Sequence, residues 1–103
     1  MKQKIHAPTL VNAAAMARAH PTTFQRPTVR QLDSICPGNI VKVCDNWERF
    51  WVIVTRRDDD GFIVGKVDNF LVQKKAYNRG ALVRFGAENV YEILVGEKQN
   101  PNG

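Results

Sequence analysis

The chain has 103 residues, an apolar fraction of 44% and a formal net charge of +5. This length corresponds to one domain with a modest core, and the apolar fraction argues against wholesale disorder. The charge is uneven, because residues 1–32 contain five basic residues and no acid, whereas residues 33–103 contain ten of each. The basic character therefore belongs to the N-terminal third, which argues against a uniformly basic DNA-binding surface.

The N-terminus shares some characters with targeting segments. Residues 1–20 have a basic start, an alanine-rich end and no acid, as in a secretory signal or a mitochondrial transit peptide. His6 and Pro8 interrupt the apolar block that a signal needs, and serine is absent from this stretch. No apolar run reaches the roughly 18 residues of a membrane span. We therefore expect a soluble cytoplasmic protein, with targeting as the alternative.

The first predicted element is a helix over residues 10–19. Thr9 is the expected N-cap, since threonine side chains accept hydrogen bonds from the first free N–H groups of a helix. Alanine, which dominates the stretch, has the highest helix propensity, and Arg18 suits the negative end of the dipole. The helix has few large apolar groups, so alone it would be marginal in water.

A second short helix is predicted after Pro27. Thr28 and Gln31 have the spacing of a capping box, in which each side chain satisfies a backbone N–H group of the other residue. Val29, Leu32 and Ile35 recur at helical spacing and predict a one-sided apolar stripe.

From residue 39 the hydrophobic period changes from helical to alternating. Aspartate and glycine at 58–61 supply the residues of a tight turn. Alternating runs predict strands at residues 39–45, 48–57, 61–69, 81–85 and 90–95. Five short strands in about 60 residues predict a mainly β fold, a small SH3-like antiparallel barrel with an N-terminal α-helical extension.

The chain therefore divides into three parts. Residues 1–27 are a basic N-terminal arm with a short helix, residues 28–96 a short helix with the β-barrel body, and residues 97–103 a flexible C-terminal tail. We expect the body to stay folded when residues 1–26 are removed.

The alternating pattern predicts different environments for the aromatic residues near position 50. Phe50 and Val52 alternate onto one face and are predicted core residues. Trp51 and Ile53 lie on the opposite face, which is too apolar for open solvent, and the N-terminal helices are its expected cover. Trp47 precedes the strand and is the aromatic side chain that we expect to be exposed.

A polar set flanks the two strands of the predicted hairpin. A turn centred near residue 59 makes Arg49 face roughly position 70, which brings the set together beside Trp47. One interpretation is an ion pair with turn-capping hydrogen bonds, and the other is a polar rim that grips a peptide or a nucleotide. The set is Glu48, Arg49, Asp68 and Asn69.

Catalytic and metal chemistry has no assembled basis. Both histidines lie within the first twenty residues, away from any recognisable nucleophile motif. Cys36 and Cys44 match no metal-ligand spacing, so we expect reduced thiols, with one short disulfide as the alternative. The aspartates at 58–60 lack the remaining ligands of a calcium loop, and no glycine-rich phosphate loop occurs. We predict neither an enzyme nor a metal or cofactor site.

Nucleic acid binding is a separate interpretation. Lys74, Lys75 and Arg79 are basic residues of a predicted loop, and the rings of Tyr77 and Trp47 are suited to stacking on bases. The basic arm would add phosphate contacts that do not depend on sequence. The balanced charge of residues 33–103 argues against this interpretation.

The body also resembles a known family. The shared stretches are residues 37–43 (PGNIVKV), 48–52 (ERFWV), 65–69 (GKVDN), 83–85 (VRF) and 88–91 (ENVY). They resemble the DUF2314-like domains, which are small bacterial and phage-associated domains, over about residues 37–93. Such domains typically read Gly-Asp where this chain has Gly80-Ala81. The resemblance implies a compact β fold and brings no activity.

These features predict a non-catalytic binding module that engages another macromolecule. A protein partner or self-association is the first interpretation, and a nucleic-acid-binding small β-barrel is the alternative. The predicted contact residues are Trp47, Glu48, Arg49, Asp68, Asn69, Lys74, Lys75 and Tyr77.

Overall fold

Strands account for most of the regular structure. The computed structural model describes residues 3–22, 26–73 and 76–94. Its elements are β1 (Ile5–His6), α1 (Ala13–Ala19), α2 (Val29–Asp33), β2 (Ile40–Asp45), β3 (Glu48–Arg57), β4 (Ile63–Val67), β5 (Leu82–Phe85), a short 3₁₀ helix (Ala87–Asn89) and β6 (Glu92–Leu94). All five predicted strands are present, β3 with the predicted bounds and the other four with shorter ones, and β1 is an element that the sequence pattern did not predict. The predicted tail at 97–103 lies outside the described residues.

The six strands form one mixed sheet in the order β1-β5-β4-β3-β2-β6. The pairs among β2 to β5 and the β2–β6 pair are antiparallel, whereas β1 runs parallel to β5. Within the described ranges β1 and β6 lie at opposite ends of this order and do not pair, so the sheet is not closed. The mainly β prediction is confirmed, but the SH3-like barrel is not, because the unpredicted β1 takes the free edge of β5.

The core lies on one face of this sheet. Phe50, Val52 and Val54 of β3 are all buried, as the alternation predicts. They pack with inward residues of the neighbouring strands, among them Val43 of β2 and Val83 of β5. The row along β3 therefore forms the centre of the hydrophobic cluster.

The β3–β4 hairpin has the predicted register. Val52 pairs with Val67, which agrees with a turn centred near residue 59. Closer to the turn the register shifts by one residue between Val54 and Arg56, a β-bulge. Gly61 occupies the left-handed region at a φ of 91°, a conformation that glycine adopts without a steric penalty.

The aspartates of this turn are held by arginines. Arg84 of β5 donates hydrogen bonds to Asp58 at 2.8 Å and to Asp60 at 2.9 Å, and its guanidinium lies 4.1 Å from the ring centroid of Phe62. Arg56 adds a third bond, to Asp58 at 3.0 Å. The hydrogen bonds from Arg84 and then Arg56 lower the pKa of Asp58, because they favour its charged form. The turn is thereby fastened to β5.

The two helices begin at different kinds of cap. Asn12 is the N-cap of α1 and accepts a hydrogen bond from the N–H of Ala15 at 2.9 Å, so the prediction of Thr9 was wrong. Asparagine is an equally good capping residue, and the helix begins three residues later than predicted. The capping box of Thr28 and Gln31 at the start of α2 is confirmed.

The apolar stripe predicted for α2 is present only in part. Leu32 and Ile35 are buried in the core, but Val29 is 71% exposed. The helix ends at Asp33, so Ile35 reaches the core from the turn that follows and the three residues do not share one helical face. Arg57 of β3 donates to the Leu32 carbonyl at 2.7 Å and fixes the end of α2 against the sheet.

The N-terminal arm is part of the fold. After pairing with β5 through β1, the arm crosses to β2, where the N–H of Val11 donates to the carbonyl of Cys44 at 2.9 Å. Leu10 and Ala13 are buried, and the Asn89 side chain donates to the backbone carbonyls of Leu10 and Val11. Removing residues 1–26 would take Leu10 and Ala13 out of the core, and the expectation that the body folds without them stays a prediction.

The outer face of the sheet is not covered by the helices as predicted. Leu10 and Leu32, from the arm and from α2, join the same cluster as Phe50, so the N-terminal segments pack on the inner face. Trp51 is half-buried on the outer face, where the ammonium of Lys42 lies 4.7 Å from its ring centroid. A cation–π contact and the aliphatic stem of a lysine thus shield part of this ring.

We expect Leu10→Ala to lower the free energy of unfolding by about 2–4 kcal/mol, because it leaves a cavity between the arm and the sheet. Val29→Ala is the control, since Val29 is exposed and its truncation should change stability by less than about 0.5 kcal/mol. Urea denaturation followed by tryptophan fluorescence measures both. Equal stabilities for the two variants would contradict the role of the arm in the core.

Candidate functional site

The segment after β4 continues alongside the first half of β3. The N–H of Asp68 donates to the carbonyl of Trp51 at 2.9 Å, which prolongs the ladder by one bond. The N–H of Trp51 then donates to the side-chain oxygen of Asn69 at 2.6 Å. A side chain thus replaces the backbone acceptor that a regular strand would offer.

Glu48 holds the next part of this segment. Its carboxylate accepts hydrogen bonds from the N–H of Val72 at 2.7 Å and from the N–H of Gln73 at 3.2 Å. The Gln73 side chain donates in turn to the carbonyl of Asp45 at 2.9 Å. Hydrogen bonds to a charged acceptor are stronger than neutral ones, so the segment is fixed against the start of β3.

The side chains of this segment alternate between core and solvent. Leu71 is buried, and its N–H and carbonyl are both bound by the side-chain amide of Asn78, at 2.8 and 3.3 Å. The flanking side chains point outward: Phe70 is 76% exposed and Val72 is 75% exposed. Side-chain hydrogen bonds hold the backbone at Leu71 and at Val72, so Phe70 and Val72 are exposed on an ordered segment of chain.

Trp47 is a third exposed apolar side chain near this segment in the fold. The β2–β3 loop has two residues, and Asn46 takes the left-handed conformation at a φ of 62° that asparagine tolerates better than most residues. Trp47, at the tip of this loop, is 63% exposed. It directly precedes Glu48, whose carboxylate binds the N–H of Val72. We call the surface formed by Trp47, Phe70 and Val72 the apolar platform.

The predicted polar set is divided by the structure. Glu48 and Asn69 bind backbone N–H groups and act as supports of the platform. Asp68 is exposed at the side of the platform. Arg49 lies elsewhere, on the outer face, with its guanidinium 5.3 Å from the ring centroid of Tyr91. Of the two interpretations, the turn-capping one describes Glu48 and Asn69.

Tyr77 is a core residue, which corrects its assignment as an exposed ring that stacks on bases. It is 6% exposed, its hydroxyl donates to the carboxylate of Asp45, and its ring packs 6.2 Å from that of Phe50 and 5.7 Å from that of His6. The apolar environment and the acidic partner explain why the ring lies inward in a polar stretch of sequence. The predicted contact residues Lys74 and Lys75 lie outside the described residues.

Cavities and thiols give little basis for catalysis. A cavity of about 350 Å³ opens beside Tyr77, lined also by His6, Asp45 and three small residues. Cys44 is buried, its thiol donates to the carbonyl of Asn46 at 3.5 Å, and burial raises its pKa, which disfavours the reactive thiolate. Over the described ranges, no group of three or more metal-ligating side chains comes together.

Sequence reasoning missed Phe70 and Val72. The apolar triplet Phe70-Leu71-Val72 follows the predicted hairpin and precedes a polar stretch, so it was assigned to no element. In an extended segment successive side chains point to opposite faces, so burial of Leu71 leaves both of its neighbours outward. This alternation was the available signal.

Comparison of the chain with protein-family models, with curated proteins and with solved structures finds no match. The resemblance to DUF2314-like domains therefore stays a prediction. None of the helices in the described ranges has the length and apolar character needed to cross a bilayer.

The two tyrosines give a test by pH. Burial, followed by the hydrogen bond to Asp45, raises the pKa of Tyr77 above its ordinary value of 10.0, and burial also raises that of Tyr91. The folded state holds both phenolic protons more tightly than the unfolded state. The contribution of the two tyrosines to stability should therefore be constant below pH 10 and fall as the pH rises beyond it.

Ultraviolet absorbance of phenolate, recorded in buffer and in concentrated urea, measures this difference. In urea both tyrosines should ionise near their ordinary pKa, and in buffer they should ionise only at higher pH, together with unfolding. Identical titration curves in the two solvents would contradict the buried hydroxyl of Tyr77.

Glu48→Ala tests the support of the platform. We expect hydrogen exchange at the amides of Val72 and Gln73 to accelerate about tenfold, because each loses a charged acceptor worth about 1.5 kcal/mol. Asp68→Ala removes the same charge from an exposed position nearby and should leave both rates unchanged. Equal acceleration in the two variants would show that Glu48 acts only through its charge.

Proposed function

We propose that this protein is a non-catalytic binding module and that the apolar platform is its contact surface for another protein. Three large apolar side chains are each more than half exposed, and the hydrogen bond from Val72 to Glu48 joins the segment of Phe70 and Val72 to the strand start that follows Trp47. Clustered exposed apolar groups mark interaction sites, whereas scattered ones do not. The observation that carries the proposal is the joint exposure of Trp47, Phe70 and Val72.

The supports beneath the platform strengthen this proposal. Binding costs less free energy when the contact residues are already ordered, because fewer rotamers and backbone states are lost. Glu48, Asn69 and Asn78 hold the backbone on both sides of Phe70 and Val72. Tryptophan is also one of the residues that most often dominate the energy of protein interfaces.

Other features fit a binding module in a reducing compartment. Cys36 and Cys44 are free thiols, which favours the cytoplasm over an oxidising environment. Burial of Cys44 and the raised pKa of its thiol favour a role that does not use this cysteine as a nucleophile. The DUF2314-like resemblance supports a compact β scaffold for this role.

Nucleic acid is the second candidate, and one contact favours it. The guanidinium of Arg79 lies 5.0 Å from the ring centroid of the exposed Phe70, so a cation and a stacking surface occur together. Affinity for a single-stranded oligonucleotide would then fall steeply with salt. Val72, which offers neither charge nor a ring, favours the protein partner.

Affinity capture with matched variants tests the proposal. We expect Trp47→Ser and Phe70→Ser each to reduce partner retention about thirtyfold, the effect of losing an interface anchor worth about 2 kcal/mol. Val29→Ser is the control, because Val29 is equally exposed but lies on α2, away from the platform. Partners retained equally by all variants would contradict the platform as the contact surface.

A further inference from the structure

The outer face of the sheet carries a row of mainly aliphatic side chains that crosses all six strands. Residues that pair directly across a ladder point to the same face of the sheet, so the register of the strands defines the row. From β6 to β1 the row consists of Leu94, Ile40, Ile53, Lys66, Leu82 and Ile5. Five of these six side chains are aliphatic, and the sixth is a lysine.

The aliphatic members of this row remain partly open to solvent. Leu94 is 47% exposed, and the other four are half-buried. Among the described residues, the hydrophobic cluster of the inner face includes none of the five. An antiparallel sheet that covers a core with one face normally has polar residues on its solvated face. Apolar residues at these outward positions therefore indicate a contact surface.

The next outward row along the strands places charges of both signs around Trp51. Trp51 pairs with Lys42, and Lys42 pairs with Glu92. On its other side the carbonyl of Trp51 accepts a hydrogen bond from the N–H of Asp68 at 2.9 Å. Asp68 follows the buried Val67 and is exposed, so its side chain points outward. Lys42 and Glu92 neutralise each other at 3.2 Å, whereas Asp68 brings a negative charge to the same face.

The two rows are complementary to each other. A two-fold axis that lies between two facing sheets, runs across the strands and passes between the rows exchanges one row with the other. Such an axis sets Ile53 of one copy against Trp51 of a second copy. It also sets Lys66, the neighbour of Ile53 on β4, against Asp68, the neighbour of Trp51. Each contact then occurs twice, as in any isologous interface.

The outer face is also large enough for a stable interface. Five strand spacings of about 4.8 Å make it about 24 Å wide, and β3 extends about 33 Å along it. These dimensions are comparable with the roughly 800 Å² that each partner of a standard interface buries. Sheets pack face to face with nearly aligned strands in β-sandwiches, so the arrangement is a common one.

We propose that the outer face of the sheet binds a second copy of this chain, with Ile53 against Trp51 and Lys66 paired with Asp68 across a two-fold axis. A second copy is favoured over an unrelated protein because one chain carries both halves of each contact. The inference does not rest on the proposed function, since the apolar platform is a different set of residues.

Sedimentation equilibrium of the full chain at increasing concentration measures self-association. We expect the average mass to rise from 11.7 kDa towards twice that value. Ile53→Lys should weaken the dimer about hundredfold, because the position occurs twice and each lysine would be buried against Trp51. Val29→Lys is the matched control, since it adds the same charge at an exposed position of α2 and should leave the dimer unchanged.

Exchange of the two charges tests the orientation of the copies. Lys66→Asp makes both facing positions acidic, and Asp68→Lys makes both basic, so each variant alone should dimerise about tenfold more weakly at low salt. Both positions are exposed, so neither substitution changes the core. An equimolar mixture of the two variants restores both attractive pairs and should form a heterodimer, which native mass spectrometry detects.

Three results would overturn the inference. The first is a chain that stays monomeric up to about 1 mM, the weakest dissociation constant of a specific contact. The second is a dimer that Ile53→Lys leaves intact, or a mixture of the charge variants that forms no heterodimer. The third is a dimer that is lost in Phe70→Ser/Val72→Ser, which would assign self-association to the apolar platform. Capture of a different protein by the platform is tested separately by Trp47→Ser.

Discussion

The inward row Phe50, Val52 and Val54 along β3 is the constraint on which the other elements depend. Side chains on a strand alternate, so burial of this row fixes Trp51 and Ile53 on the outer face and determines which face the N-terminal segments cover. The arm pairs with β5 through β1 near one edge of the sheet and bonds to Cys44 of β2 near the other. A sheet that is open in its strand order is thus bridged by a segment of chain that lies across its inner face.

The platform segment begins where the regular hydrogen-bonded ladder between β3 and β4 ends. β4 stops at Val67, and after one more backbone bond from Asp68 the side chains of Asn69 and Glu48 supply the acceptors instead of carbonyls. In a regular ladder every second residue of this segment would bond to β3 through its backbone N–H and carbonyl groups. The other side of the segment would then be an ordinary sheet edge. Side-chain acceptors hold single positions, which leaves Phe70 and Val72 outward on a fixed backbone. The same side-chain hydrogen bonds therefore order the segment and leave Phe70 and Val72 exposed.

Local signals predicted local structure. The capping box of α2 and the register of the β3–β4 hairpin depend on residues a few positions apart, and both could be read from the sequence. The edge position of β1 could not, because two residues carry no period and their pairing with β5 joins distant parts of the chain. Tyr77 illustrates the same limit at the site: its burial depends on Asp45, 32 positions away, and on the ring of Phe50. Trp47 was found because a turn exposes its residues regardless of the fold.

Pairing of β1 with β5 gives the basic N-terminal arm a fixed position in the fold. The body from residue 33 onward is neutral in sum, so a basic arm that was free in solution would have no fixed relation to any surface of it. Pairing of Ile5 with Leu82, and of Gln3 with Gly80, fixes Lys4 beside the loop of Arg79. The arm thus contributes to the core through Leu10 and brings its positive charge to the β5 edge of the sheet. A change that loosens β1 would therefore release the basic arm and weaken the core contact of Leu10 together.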